Sequence, residues 1–276
     1  MKHQHLALFL LFLSPLMGIA QKKYNPEIKL NKGDTLIYLI QTNVDMTQSM
    51  MGQDINMNVS TQSKNIITVN DIDKNDYYHL SQLSKEMKVN MKMDQMDSTM
   101  FIPDINNLPV LVMSKKGNIL HKVVSTNEKG QTMGNDFGDV TASSPFIEFP
   151  DRKISEGESW ETLQNDTVNF MGGDLITNAK TVYTLIGTDN KEGVKCLKVN
   201  HKTTANNEGT TNMQGMDFAI EGTTVMEGTT WIDSKTGIPV FIDSTAESQM
   251  TLLLSGQQNM TIPLTYKATF TKKLLK

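Results

Sequence analysis

The sequence predicts an all-β protein in which long antiparallel strands form a curved sheet, half-barrel or barrel, built from two related halves. Three observations carry this. Apolar and polar residues alternate along most of the chain, and no window longer than about ten residues has the i, i+3, i+4, i+7 spacing of a capped amphipathic helix. Clusters of Gly, Asn and Asp divide the alternating runs into strands of roughly 12 to 16 residues, and strands that long accumulate twist until the sheet coils. Turn motifs also recur in the same order in both halves.

The elements follow in chain order. Leu36, Tyr38, Ile40, Val44 and Met46 share one face of a first long strand. After a turn at Met51-Gly52, Ile55, Met57 and Val59 alternate with Asn56, Asn58 and Ser60, which makes a hairpin. Asn65 to Val69, a turn over Asp71 to Asp76 and the run Tyr77 to Met93 give the next pair, in which Met87, Val89, Met91 and Met93 alternate with Lys88, Asn90 and Lys92. Ser125 to Ser144, with Gly130, Gly134 and Gly138, breaks the alternation. Residues 21–125 therefore read as a first β half, 126–150 as a linker or crossover, and 151–276 as a second β half. In that half, strands over Trp160 to Met171, Leu175 to Ile186 and Val194 to Thr204 lead to a turn at Asn206-Asn207-Glu208-Gly209. Beyond it Met216, Phe218, Ile220, Thr224, Met226 and Ile232 share a parity, and Val240 to Leu254 pairs back onto Met260 to Phe270.

The internal echo is specific in order and spacing. Gly33-Asp34-Thr35-Leu36 and Gly157-Glu158-Ser159-Trp160 stand 124 residues apart, Ile67-Thr68-Val69 and Tyr183-Thr184-Leu185 stand 116 apart, and Ser114-Lys115-Lys116-Gly117 and Ser234-Lys235-Thr236-Gly237 stand 120 apart. Shared turn chemistry would give the same residues without duplication, and both readings stay open.

Met1 to Ala20 reads as a secretory leader: Lys2 with His3 and His5, an apolar stretch Leu6 to Leu13, and a small-x-small site at Gly18-Ile19-Ala20. Leu6 to Ala20 is too short for a spanning helix and carries Ser14 and Pro15, so the expectation is cleavage before Gln21 and a periplasmic or secreted, non-transmembrane product. The only cysteine, Cys196, stands far from the leader, so neither a lipid anchor at the cleavage point nor an internal disulfide is expected; it reads as a small buried hydrophobe. An outer-membrane barrel is disfavoured because aromatics are 7% of residues and form no girdle pattern.

Function classes are narrowed by what is scarce. With 26 Lys and Arg against 30 Asp and Glu, the chain has no basic excess for a nucleic acid. Beyond the leader only His79, His121 and His201 remain, in no metal-ligating spacing, and G-x-S-x-G is missing, so neither an enzyme nor a cofactor is expected. The residue in excess is methionine, 19 in all. Met93, Met96 and Met100, or Met213 and Met216, could offer thioethers to Cu(I), but Met87, Met91 and Met93 fall on the parity of Val89, where an apolar layer belongs, and copper is not expected. Met46, Met57, Met87, Val89, Met91 and Met93 are instead the candidate liners of a concavity for a hydrophobic or lipid ligand. The other faces are rich in Asn, Gln, Ser and Thr, which suits an envelope protein or glycan partner and a surface or scaffolding role.

Phe149-Pro150-Asp151-Arg152-Lys153-Ile154-Ser155-Glu156-Gly157-Glu158-Ser159-Trp160 resembles the F/L-P-x-x-x-(I/V)-x-x-G-(D/E)-x-W signature of an uncharacterised family of exported Bacteroidota proteins, a domain of unknown function. Asp233-Ser234-Lys235-Thr236-Gly237 looks like that family's D-x-x-T-G landmark. The resemblance implies a β-rich exported chain and supplies no active site. Gly157, Trp160 and Gly237 read as fold residues, the glycines for turns and the Trp as a plug at one end of the sheet.

Overall fold

The computed structural model describes residues 22–50, 52–94, 96–106, 110–123, 145–170, 173–213, 216–254 and 260–275. Within them lies one twelve-stranded antiparallel sheet, with a two-stranded ribbon made by β1 (Lys23–Tyr24) and β8 (Ile154–Ser155). The first half contributes β2 (Thr35–Met50), β3 (Gln53–Ile72), β4 (Tyr78–Met93), β5 (Met96–Ile102), β6 (Val110–Met113) and β7 (Ile119–Val123). The second contributes β9 (Ser159–Phe170), β10 (Gly173–Lys191), β11 (Val194–Met213), β12 (Met216–Asp233), β13 (Pro239–Leu254) and β14 (Met260–Leu274). The order β7-β6-β4-β3-β2-β14-β13-β12-β11-β10-β9 joins the halves where β14 pairs β2, and β5 pairs the far end of β4. All-β, antiparallel and curved is therefore the architecture found.

The sheet is open between β7 and β9, yet it curls until these outer strands meet through side chains: Lys122 Nζ lies 2.7 Å from Asp166 Oδ1. Bulges and inward glycines allow the curl, because both let neighbouring backbones approach on the concave side. At Glu86 (φ 51°) two residues of β4, Glu86 and Met87, oppose Ser63 alone, so the inward face passes from Tyr78, Leu80, Gln82 and Ser84 to Met87, Val89, Met91 and Met93. Gly209 and Gly222 face inward on β11 and β12; a Cβ on Gly209 would lie 2.0 Å from the Asp174 carbonyl. This corrects the expected turn at Asn206 to Gly209. β11 runs straight through it, because Asn207 is fixed on the inner face between Thr177 (2.9 Å) and Thr224 (3.0 Å) and Gly209 leaves room for the adjacent strand.

Two cores close the two ends of the inner face. The larger joins Leu36, Tyr38, Ile67, Leu80, Leu111 and Met113 of the first half to Trp160, Leu185, Leu197 and Ile232 of the second. Two straps plug it, residues 25–30 with Ile28 and Leu30, and residues 145–154 with Phe146, Ile147, Phe149 and Ile154. The latter part of the 126–150 linker is thus core; residues 126–144 lie outside the described residues. The smaller core gathers Leu175, Phe218, Ile220, Met250, Leu252, Ile262 and Leu264.

The straps are held by backbone bonds to the two S-K-x-G turns. Ile28 N–H donates to the Lys115 carbonyl and Lys29 N–H to that of Thr236, both at 2.8 Å, and Phe149 N–H donates to the Lys116 carbonyl at 2.7 Å. Strap carbonyls also receive buried side-chain donors: Tyr78 Oη on Ile28 O at 2.8 Å and Trp160 Nε1 on Glu148 O at 2.8 Å. Matched geometry recurs at the strand entries. Gly33 N–H donates to Val69 O and Val69 N–H to Asp34 O (2.8 and 2.9 Å); Gly157 N–H donates to Leu185 O and Leu185 N–H to Glu158 O (2.7 and 3.0 Å). Asp34 and Glu158 each accept a backbone N–H from three residues earlier at 2.7 Å, and a bulge follows both Val69 and Leu185.

Candidate functional site

Between the two cores the inner face carries two chemically different walls. On the first half the register lines up apolar rows across the strands. Met46 opposes Met57, Met57 opposes Met93, and Met93 opposes Met96; one row along, Val44, Val59 and Met91 stand in line; the next holds Thr42, Thr61, Val89 and Met100. Met87 stands opposite Ile102 at the rim. Met46, Met57, Met87, Val89, Met91 and Met93 all share the inner face and are all half-buried, neither sealed in core nor open to bulk solvent. Sequence parity found the face but not the rows. Cross-strand register, which brings thioethers of four strands side by side, is not encoded in any one strand.

The second half presents small and polar groups. Thr177 Oγ1 donates to Asn207 Oδ1 at 2.9 Å, Asn207 Nδ2 donates to Thr224 Oγ1 at 3.0 Å, and Thr224 Oγ1 donates to Ser248 Oγ at 3.0 Å, a chain across β10 to β13. A second row runs Trp160, Tyr183, His201, Gly228, Ser244. Trp160 stacks on Tyr183 at 5.3 Å, and His201 lies 6.3 Å further along. His201 Nε2 reaches Ser244 Oγ at 3.1 Å across β12, which is possible because Gly228 has no side chain; a Cβ there would lie 2.4 Å from Ser244 Oγ.

A Ser next to a His invites a catalytic reading, and the geometry argues against it. Burial pushes the His201 pKa down, and its Nδ1 is buried with no partner among the described residues, so no carboxylate orients the ring as a base. Cys196 is buried, and burial raises its thiol to about 11, so the thiolate needed for reactivity is disfavoured. The three histidines do not converge: His79 lies 3.6 Å from Asp73, and His121 sits on β7 at the opening.

Lys272 is the residue that sequence reading passed over. It lies on the inner face of β14 between Ile40 and Ile242, is 6% exposed, donates to the Pro145 carbonyl at 3.0 Å and sits 4.2 Å above the Tyr38 ring. Burial pushes its pKa down to about 7. The one signal in the sequence was a Lys on the parity of Ile262, Leu264 and Phe270. On the outer face, Asn43, Asp45, Glu227, Thr245, Glu247 and Lys267, with Val225 among them, line an open groove of about 490 Å³ that mixes polar and apolar surface. Among the described residues no helix is long and apolar enough to cross a membrane.

No family model and no curated protein matches the chain. Among solved structures it is similar to lipovitellin, in a structure described for lipid–protein interactions, with a TM-score of 0.50 and 12% identity over 90% of this chain and 26% of that one. The chain thus spans about a quarter of the lipovitellin chain. A second structure, Pseudomonas aeruginosa OccK11 (OpdR), aligns over 90% of this chain and 99% of that one with 7% identity and a TM-score of 0.19. At these identities the lipovitellin likeness concerns the fold: a large, curved antiparallel sheet.

Proposed function

We propose that the chain is an exported, non-catalytic envelope protein that holds an apolar ligand against the inner face of its curved sheet. The observation that carries this is the half-buried apolar wall: Val44, Met57, Val59, Met91 and Met93 belong to neither filled core and stay half-buried, and Met46 beside them packs against the smaller core. Apolar surface left uncovered inside a fold is a binding surface by the same argument that makes exposed patches functional, and thioethers adapt to ligands of varied shape. The likeness to lipovitellin, whose structure concerns lipid–protein interactions, supports the reading. Delipidated protein exposed to envelope lipid extract and examined by native mass spectrometry is expected to carry apolar adducts. Met91→Asp should lose them while keeping its far-ultraviolet spectrum; adduct-free wild-type protein would remove the proposal.

The outer groove favours a second reading, a surface or scaffolding protein that presents its polar strand faces to an envelope protein or glycan. Export belongs to the proposal too. Met1 to Ala20 lie outside the described residues, and N-terminal sequencing of protein from the producing cell is expected to begin at Gln21; an intact leader would contradict it. The resemblance of Phe149 to Trp160 to an exported Bacteroidota family belongs to the same proposal. We read the two halves as copies of one unit, supported by the paired bonds of Gly33 with Val69 and Gly157 with Leu185.

A further inference from the structure

Building on the apolar-ligand reading, we propose that Lys272 anchors the ligand's head group, so that the ligand is an amphiphile bearing an anion, with a carboxylate as the simplest case. Lys272 is buried, and among the described residues its ammonium has one acceptor, the Pro145 carbonyl, and one ring, Tyr38; none of the ion pairs formed there includes it. An ammonium has three donors, and a buried one that meets a single carbonyl is undercompensated unless a counter-ion joins it. The surroundings suit an anion. Ser63 stands in the row of Ile40 and Lys272, Asn65 opposes Tyr38 and Ser84 opposes Asn65, all three buried on the inner face. Two residues further along β4, Gln82 has a buried Nε2 with no partner among the described residues.

The tail has a path. From Lys272 the inner face of β14 continues through Phe270, Ala268 and Tyr266, beside Thr42, Val44 and Met46 of β2, and these residues are half-buried throughout. Six residues of strand span about 20 Å, the length of a long acyl chain, and end on the methionine row. The polar head would lie under the strap at Pro145 and the tail would cover the half-buried wall as far as Tyr266 and Met46, which pack against the smaller core.

The test compares palmitate with 1-hexadecanol, which has the same tail without the charge, on delipidated mature protein at pH 6.5 by titration calorimetry. Wild-type protein is expected to prefer palmitate by about tenfold or more. Lys272→Met, and Lys272→Gln as a second variant, should bind both probes alike, at the wild-type affinity for the alcohol. Equal binding of acid and alcohol by wild type, or a preference that survives both substitutions, would overturn the anchor and leave the apolar-ligand reading intact. Failure of both probes to bind would count against both proposals.

Discussion

Gly237→Ala is expected to destabilise the protein by about 3 kcal/mol or more, whereas Gly33→Ala should cost only about 1 kcal/mol. Both glycines have positive φ, 71° and 89°, so a side chain brings left-handed strain to each. They differ in what a Cβ would meet. At Gly33 nothing lies within 4 Å, while at Gly237 the Glu27 carbonyl oxygen would lie at 2.2 Å. That oxygen belongs to the first strap, whose Lys29 N–H is bonded to Thr236 in the same turn, so the clash cannot be relieved without lifting Ile28 and Leu30 out of the larger core. Gly117 stands in the same relation to the second strap, with the Ile147 carbonyl at 2.3 Å, and Gly117→Ala should behave like Gly237→Ala. Gly157, φ 82° with nothing within 4 Å, should behave like Gly33. Urea unfolding of the four variants reads the differences directly. Four equal losses would mean that backbone strain alone matters and that the straps contribute little.

How far this fold is legible in the sequence depends on range. Alternation places the long strands, because a residue's face in a strand depends only on its parity. The S-K-x-G turns are legible because Gly at the left-handed position is a local demand. What Gly117 and Gly237 touch is not, since Ile147 and Glu27 are far away in sequence. The same limit explains the misplaced turn at Asn206 to Gly209. An Asn-Asn-Glu-Gly cluster is locally a turn, and it is pairing with β10 and β12 on both sides, together with the Thr177 and Thr224 bonds to Asn207, that holds it extended. The bulge at Glu86 escapes for a related reason: Gln82 and Ser84 are polar, so alternation cannot reveal that they share a face with Met87 and Met91. In the site, Met46, Met57, Met87, Val89, Met91 and Met93 were legible as a face. Lys272 was not, because its one mark is the parity it shares with Ile262, Leu264 and Phe270, and parity alone does not say that Ile40 and Ile242 on the adjacent strands enclose it.

Lys272→Met is expected to stabilise the delipidated protein by on the order of 3 kcal/mol at pH 6 to 7, with the gain falling by about 1.4 kcal/mol per pH unit above 7, so that it crosses zero near pH 9 and has become a small loss by about pH 10.5. In the folded chain burial lowers the Lys272 pKa from 10.5 to about 7. Between those values the unfolded chain holds a proton that the folded chain has released, so wild-type stability rises with pH, by about 1.4 kcal/mol per pH unit from this group. Below pH 7 both states are protonated and the whole burial penalty remains, on the order of 5 kcal/mol, offset in part by the Pro145 hydrogen bond and the Tyr38 ring that the variant loses. Among the described residues no other group facing Lys272 titrates in this window. Its cross-strand neighbours are Ile40 and Ile242, the strap offers Pro145, and Tyr38 donates its hydroxyl to Pro239 O while burial raises its pKa above the ordinary value. Urea unfolding of wild type and variant at pH 6, 8 and 10 isolates the effect, since every other lysine cancels in the difference. A variant destabilised at pH 6, or a difference that does not change with pH, would show that Lys272 is well compensated in the ligand-free protein. Saturating palmitate should reverse the ranking, because a bound carboxylate supplies the missing counter-ion to wild type and nothing to the variant.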